Sequence, residues 1–189
     1  VVTQAVFDTT MRDIIWPTVH GMAKDGITFT GFLYAGLMIA PNGTVKTLEF
    51  NCRMGDPETQ PILMRLKSDL GLVLLAGAKG EFSGLSSLTL EWDERVALGV
   101  VLAAHGYPAN PRKGDPIQGL PADGPDCVVF HAGTALNGEQ LLSSGGRVLC
   151  VSALAASVES AQQVAYAAIA QIKLPGAQYR SDIGARAVA

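Results

Sequence analysis

The chain has 189 residues, of which 48% are hydrophobic and only 16% charged, so it carries enough apolar material for a folded core and is not a disordered segment. Its net charge of −3, with no basic cluster, leaves no electrostatic footprint for nucleic acid and no basic amphipathic helix for a membrane surface. No run reaches the about 18 consecutive apolar residues of a membrane span, and no secretory leader is visible, which predicts a cytoplasmic protein. Cys52, Cys127 and Cys150 are odd in number, widely spaced and set in apolar runs, the pattern of buried free thiols rather than a disulfide framework or a zinc site.

In chain order, residues 3 to 24 show helical spacing through Phe7, Met11, Ile14, Ile15, Val19 and Met22. Pro17 interrupts it, because its ring removes the bond back to Asp13, so the helix either kinks there or restarts at Trp16. Gly26 is placed to stop it. Residues 28 to 40 read as a strand, Pro41-Asn-Gly43 as a turn and residues 44 to 52 as the returning strand.

Successive side chains on a strand alternate between faces, so Glu49, Asn51 and Arg53 share one side, and Leu48, Phe50 and Cys52 form an apolar opposite side. Two residues along a strand span roughly 6 to 7 Å, which lets the Glu49 carboxylate and the Asn51 amide oxygen lean onto one cation. Two hard oxygen ligands suit Mg²⁺, which keeps several waters and shares its other positions with substrate phosphates. Alternating polar residues on a strand are otherwise simply a solvated face. The strand then runs through Gly55 into a helix start, with Asp56 as N-cap, Pro57 at the first helical position and Glu58 in the first turn. Helical spacing continues to about Ala78 on Ile62, Leu63, Leu66, Leu70, Val73 and Leu74, with a break at Ser68-Asp69. Gly77, Gly80, Ser83, Gly84, Ser86 and Ser87 mark a domain boundary, dividing the chain into 1–82 and 83–189.

Beyond the boundary, residues 96 to 104 read as a buried strand. A long surface loop from Gly106 to Pro125 follows, kept extended by its X-Pro bonds. Residues 126 to 132 and 147 to 154 are further strands, with a short third at Glu139 to Leu142. Ser157 caps a helix reaching about Lys173, and the residues after Pro175 have no period.

Gly31-Phe-Leu-Tyr-Ala-Gly-Leu-Met-Ile39 and Glu49-Phe-Asn-Cys-Arg-Met-Gly-Asp-Pro-Glu-Thr-Gln-Pro61 resemble the glycinamide ribonucleotide synthetase (phosphoribosylamine-glycine ligase) family of purine biosynthesis, within the ATP-grasp superfamily. Glu91-Trp-Asp-Glu-Arg95, Gly106-Tyr-Pro108, Lys113-Gly-Asp115, Phe130-His-Ala-Gly-Thr134, Gly145-Gly-Arg-Val-Leu149 and Tyr179-Arg-Ser-Asp-Ile-Gly184 agree with it. The resemblance covers nearly the whole chain but only the back half of the family's enzyme. It implies an α+β fold: the end of an ATP-grasp lobe of antiparallel strands with helices, over 1–82, then a small α/β C-terminal domain over 83–189.

It also implies ATP-driven joining of glycine to 5-phosphoribosylamine through glycyl phosphate, with ADP and phosphate released. Glu49 and Asn51 are then the ligands of Mg²⁺ or Mn²⁺, Arg53 faces the nucleotide phosphates and the transferring phosphoryl group, and Asp56 meets a substrate amine. Asp56 and Glu58 admit both that reading and the helix-start reading. His131, Gly133, Thr134, Arg180 and Asp182 are the further substrate-side candidates. A glycine at 133 lets a ligand approach the backbone closely, a lone histidine is commonly a satisfied structural residue, and Arg180 and Asp182 either close over the site or pair with each other. Gly145-Gly-Arg147 reads as a turn before a strand rather than an anion nest.

The family pattern is not followed everywhere. A further metal-binding carboxylate carried by many ATP-grasp ligases on the preceding strand is lacking near Leu37, and His105 replaces the usual glycine. The family's phosphoribosylamine-binding domain and phosphate-loop segment precede Val1, so the chain by itself is expected to be inactive and to need the N-terminal portion as partner. Two competing readings are a non-catalytic docking module and another ATP-grasp carboxylate-amine ligase.

Overall fold

The computed structural model describes residues 2–80 and 89–188. The chain divides into two compact units, one formed by Val1–Gly55 with Asp69–Thr89 and the other by Asp56–Ser68 with Leu90–Ala189. The expected boundary at 82/83, with Ser83, Gly84, Ser86 and Ser87, lies outside the described residues.

The first unit begins with α1 (Gln4–Thr10), whose first turn is capped by the Thr3 hydroxyl accepting from the Val6 N–H at 3.3 Å. A π-helical stretch, Met11–Ile15, leads directly into α2 (Trp16–Lys24). Pro17 therefore sits in the first turn of a new helix, where its missing N–H costs little, and the wider turn before it absorbs the ring. Gly26, at φ 80°, ends α2 as expected, with the Ile27 N–H closing back onto the Met22 carbonyl at 2.9 Å.

Strands β1 (Tyr34–Ile39) and β2 (Val45–Asn51) form an antiparallel hairpin around Gly43, whose φ of 83° only glycine adopts freely. The first strand is shorter than expected because Gly31, at φ 141°, takes the chain out of the extended region. The expected helix break at Ser68-Asp69 is present. α4 (Leu70–Ala78) starts on the Asp69 carboxylate, which accepts from the Gly71 N–H at 2.7 Å. Its expected core stripe is not: α4 is apolar all round, yet none of its residues is buried and Leu72 is 61% exposed. A helix with that composition belongs inside a larger body.

The second unit is a three-stranded antiparallel sheet of order β3-β7-β4, built from β3 (Val96–Ala103), β4 (Cys127–His131) and β7 (Arg147–Ala155). Helix α5 (Val158–Ile169), capped by the Ser157 hydroxyl on the Ser160 N–H at 3.1 Å, covers one face. Leu98, Val100, Leu102, Leu149 and Val151 from the sheet pack with Ala161, Ala165 and Ile169 there. Each fully buried leucine or valine of this layer is worth about 1.5 to 3 kcal/mol. The opposite face carries α3 (Thr59–Arg65), which packs on β3 and β7. Gly99 faces it and leaves room for the Pro61 ring: a Cβ there would stand 3.5 Å from Pro61 Cδ.

A hairpin of β5 (Thr134–Asn137) and β6 (Gln140–Ser143) follows β4. The loop from Gly106 to Pro125 is not wholly a surface feature, because Ile117 is buried and bonds through its N–H to the Leu141 carbonyl at 2.9 Å. The tail after Pro175 pairs Gln178 with Ala103 and ends in α6 (Ala185–Val188). Of the cysteines, all free, Cys150 is buried, Cys127 half-buried and Cys52 exposed, so the expectation of three buried thiols fails at Cys52. Burial pushes the Cys127 and Cys150 thiols up from their ordinary value.

Glu91 to Arg95 forms a structural node. The Arg95 guanidinium bonds both oxygens of Asp93, at 3.0 and 2.9 Å, and reaches Asp126 at 2.7 Å, while the Asp93 N–H donates to the Arg65 carbonyl at 2.7 Å. These bonds hold the Asp93 carboxyl well below the usual carboxylate range. A lowered folded-state pKa adds stability that is fully present above the unfolded value of about 3.9 and is lost as pH falls below it toward the folded value. Asp93→Asn is therefore expected to flatten the decline of the urea midpoint below about pH 4. A midpoint falling as steeply in the variant as in the parent would show that Asp93 does not carry that slope.

Candidate functional site

In the first unit, β2 pairs Glu49 with Gly36 and Asn51 with Tyr34, and the register shifts between Gly36 and Leu37, leaving Leu48 as the extra residue. Glu49 and Asn51 emerge on one side, as strand parity requires, and the Asn51 amide donates to Glu49 Oε1 at 3.1 Å. Arg53 departs from the expectation. The strand ends at Asn51, Arg53 lies in the bend beyond it, and its guanidinium donates to the adjacent Met54 carbonyl at 2.9 Å. The apolar side is also uncovered, with Leu48 63% and Phe50 44% exposed.

Two oxygen-bearing side chains held side by side fit a small hard cation. Turning the Asn51 amide about its last bond presents Oδ1 beside the Glu49 carboxylate, an orientation set by hydrogen bonding alone. Across the strand pair Gly36 adds no third ligand, and among the described residues no cluster of three or more His, Cys, Asp or Glu is arranged to hold a metal. The donor set suits an ion that takes its remaining ligands from water and phosphate.

In the second unit, Asp56 is not a helix cap. Helix α3 starts at Thr59, with Glu58 in the N-cap position and no side-chain cap bond, and Asp56 and Pro57 lie in the turn before it. The Asp56 carboxylate is taken instead by Arg147: Nη2 stands 2.9 Å from Oδ2, and Nη1 donates to the Asp56 carbonyl at 3.2 Å. Glu58 lines an open groove of about 770 Å³ with Arg65, Trp92 and Arg95.

Beside the Asp56 turn, a cleft of about 430 Å³ is lined by Pro57, Val101, Tyr107, Arg147, Tyr179 and Arg180 among others. It collects the Asp-Pro, Gly-Tyr-Pro, Gly-Gly-Arg and Tyr-Arg-Ser-Asp stretches on one wall of the sheet. Arg180 and Asp182 pair with each other through two bonds of 2.8 and 2.6 Å, which hold the Asp182 carboxyl below its ordinary value. His131, Gly133 and Thr134 are not among the cleft's lining residues. His131 Nδ1 lies 3.2 Å from Thr134 Oγ1, and the backbone that approaches Gly133 is that of Gly145 and Arg147.

Residues 1–59 match the family model described as phosphoribosylglycinamide synthetase, ATP-grasp (A) domain, and residues 97–186 match phosphoribosylglycinamide synthetase, C domain. The chain belongs to the phosphoribosylglycinamide synthetase family. It is 58% identical over 188 residues to the phosphoribosylamine-glycine ligase of Ralstonia nicotianae and 55% identical over 190 residues to that of Escherichia coli strain K12, in each case along 100% of this chain and 44% of the relative. A crystal structure of phosphoribosylamine-glycine ligase from Thermotoga maritima superposes with a TM-score of 0.81 at 33% identity, over 97% of this chain and 44% of that one. The chain thus spans less than half the length of these relatives, and the expected α+β architecture agrees with them.

Within this synthetase family segment, sequence reasoning passed over Arg147, Tyr107 and Tyr179 as cleft residues. Their motifs were visible, but nothing local says that Arg147 meets Asp56, because the two are 91 positions apart. The β5–β6 hairpin did carry a local signal, Asn137-Gly138 between short apolar runs, with Gly138 at φ 60°.

Proposed function

We propose that this chain is the C-terminal portion of a phosphoribosylamine-glycine ligase of purine biosynthesis, acting in the cytoplasm. Its reaction phosphorylates the carboxylate of glycine with ATP and lets the amine of 5-phosphoribosylamine displace the phosphate, giving glycinamide ribonucleotide, ADP and phosphate. The likeness to named ligases along the entire chain is the observation that carries this reading. Among the described residues no helix is long and apolar enough to cross a membrane.

A carboxylate resists amine attack because its oxygen does not leave, and an acyl phosphate removes that obstacle. The transfer gathers negative charge on the phosphoryl oxygens, which positioned cations and donors must neutralise in place. Glu49 and Asn51 hold Mg²⁺ or Mn²⁺, whose contribution when bound is that neutralisation. Arg53 exchanges its local carbonyl for a phosphoryl oxygen, since a guanidinium fork matches that geometry. Asp56 accepts from a substrate amine, and Glu58, His131, Gly133, Thr134, Arg180 and Asp182 complete the substrate side. Residues 1–82 complete the ATP-grasp domain, and 83–189 are the C-terminal domain.

The exposed Leu48, Phe50 and Leu72 favour a partner surface supplied by the N-terminal portion of the enzyme. The chain alone is expected to form no ADP from ATP with glycine and phosphoribosylamine, and co-expression with the N-terminal portion to restore it. ADP formation by the chain alone, dependent on both substrates, overturns the division of labour. A stable complex without activity points to a docking module instead.

A further inference from the structure

We infer that Arg147 is the residue that positions Asp56 for its substrate, an inference that rests on the proposed role of Asp56. Arg147 opens β7, and simple alternation from Leu149, Val151 and Ala153 would send its side chain to the α5 face. It does not go there. Leu102 pairs with Leu149 but Ala103 pairs with Arg147, so Val148 is an extra residue and the parity of the strand changes at that point. Arg147 consequently shares the α3 face with Gly99, Val101 and Ala103, where the Asp56 turn lies, and all of these but Asp56 line the same cleft.

The guanidinium takes two oxygens of a single residue, Asp56 Oδ2 at 2.9 Å and the Asp56 carbonyl at 3.2 Å. Holding a carboxylate and its own main-chain carbonyl with one rigid fork sets the side-chain rotamer. The base of the fork is itself immobilised. The Arg147 carbonyl accepts from the Gly133 N–H at 2.9 Å, the Gly146 carbonyl accepts from the Ala104 N–H at 2.8 Å, and the Tyr107 ring packs where Gly146 has no side chain. Arg147 and Asp56 are 41% and 44% exposed, and ion pairs in that setting add little to stability. Orientation is what the pair supplies, and it makes the C-terminal domain responsible for aiming an acid contributed by the Arg-x-Gly-Asp-Pro-Glu stretch.

Arg147→Met, Arg147→Lys, Asp56→Asn and the Asp56→Asn/Arg147→Met double variant, made in the full-length ligase, separate the alternatives by steady-state kinetics and melting. Arg147→Met is expected to raise the KM of glycine or phosphoribosylamine about tenfold, with the KM of ATP and the melting temperature close to the parent's. Arg147→Lys is expected to recover only part of this, since an ammonium does not bridge the two oxygens as a fork does. In the Asp56→Asn background Arg147→Met is expected to add nothing. Fully additive effects, or a change in melting alone, overturn the positioning role. Parent-like KM values for both substrates in Asp56→Asn overturn instead the reading of Asp56 on which it stands.

Discussion

In the full-length ligase, Glu49→Gln is expected to lower kcat by on the order of 1000-fold, the equivalent of about 4 kcal/mol of transition-state stabilisation, with an unchanged melting temperature. The replacement keeps the shape of the side chain and an oxygen able to accept the 3.1 Å bond from Asn51, and Glu49 is exposed on β2, so the hairpin has no reason to open. What changes is one negative charge at the proposed metal site. The donor set has a single carboxylate, Gly36 rather than an acid stands across the strand pair, and among the described residues no cluster of three or more His, Cys, Asp or Glu is arranged to hold a metal. Rates measured across a magnesium titration check this, excess metal recovering part of the loss. A kcat within tenfold of the parent's would mean that Glu49 does not hold the metal. The same sparse donor set predicts weak Mg²⁺ binding to the chain without nucleotide, and sub-micromolar binding by titration calorimetry would contradict it.

Gly133→Ala is expected to cost about 3 kcal/mol or more of folding stability, read from urea unfolding of the chain. A Cβ at residue 133 would stand 2.6 Å from Gly145 Cα, 2.7 Å from the Arg147 carbonyl oxygen and 2.8 Å from the Gly145 nitrogen. All three are backbone atoms, so no side chain can swing aside. Separation of the segments would also break the bonds from the Gly133 N–H to Arg147 at 2.9 Å and from the Ser144 N–H to Gly133 at 2.7 Å. The close approach that only glycine permits here is used by the protein itself, and it anchors the same Arg147 that reaches Asp56. Parent-like stability would overturn the packing argument, and a raised substrate KM in the full-length ligase would support the proposed substrate-side role of Gly133.

Much of the fold was legible because its signals are local. The φ > 0 stop at Gly26, the Pro41-Asn-Gly43 turn, the Ser157 cap and the apolar runs of β3, β4 and β7 each depend on a few consecutive residues. The Asp56 cap was misread for the same reason. An Asp-Pro pair before a helical run carries the local mark of a helix start, and its true partner lies 91 positions away. Arg53 was misplaced because alternation was extended two residues past the end of β2.

By itself the sequence determined the helical and strand periods, the common side of Glu49 and Asn51, and the motifs that align the chain with its family, since these follow from backbone repeat and residue identity. Tertiary structure alone decided that Arg147 meets Asp56 and that the backbone of Gly145 lies against Gly133. One extra residue in a strand reverses every side chain on one side of it. Whether such a residue is inserted depends on how distant strands pair, which no local pattern records.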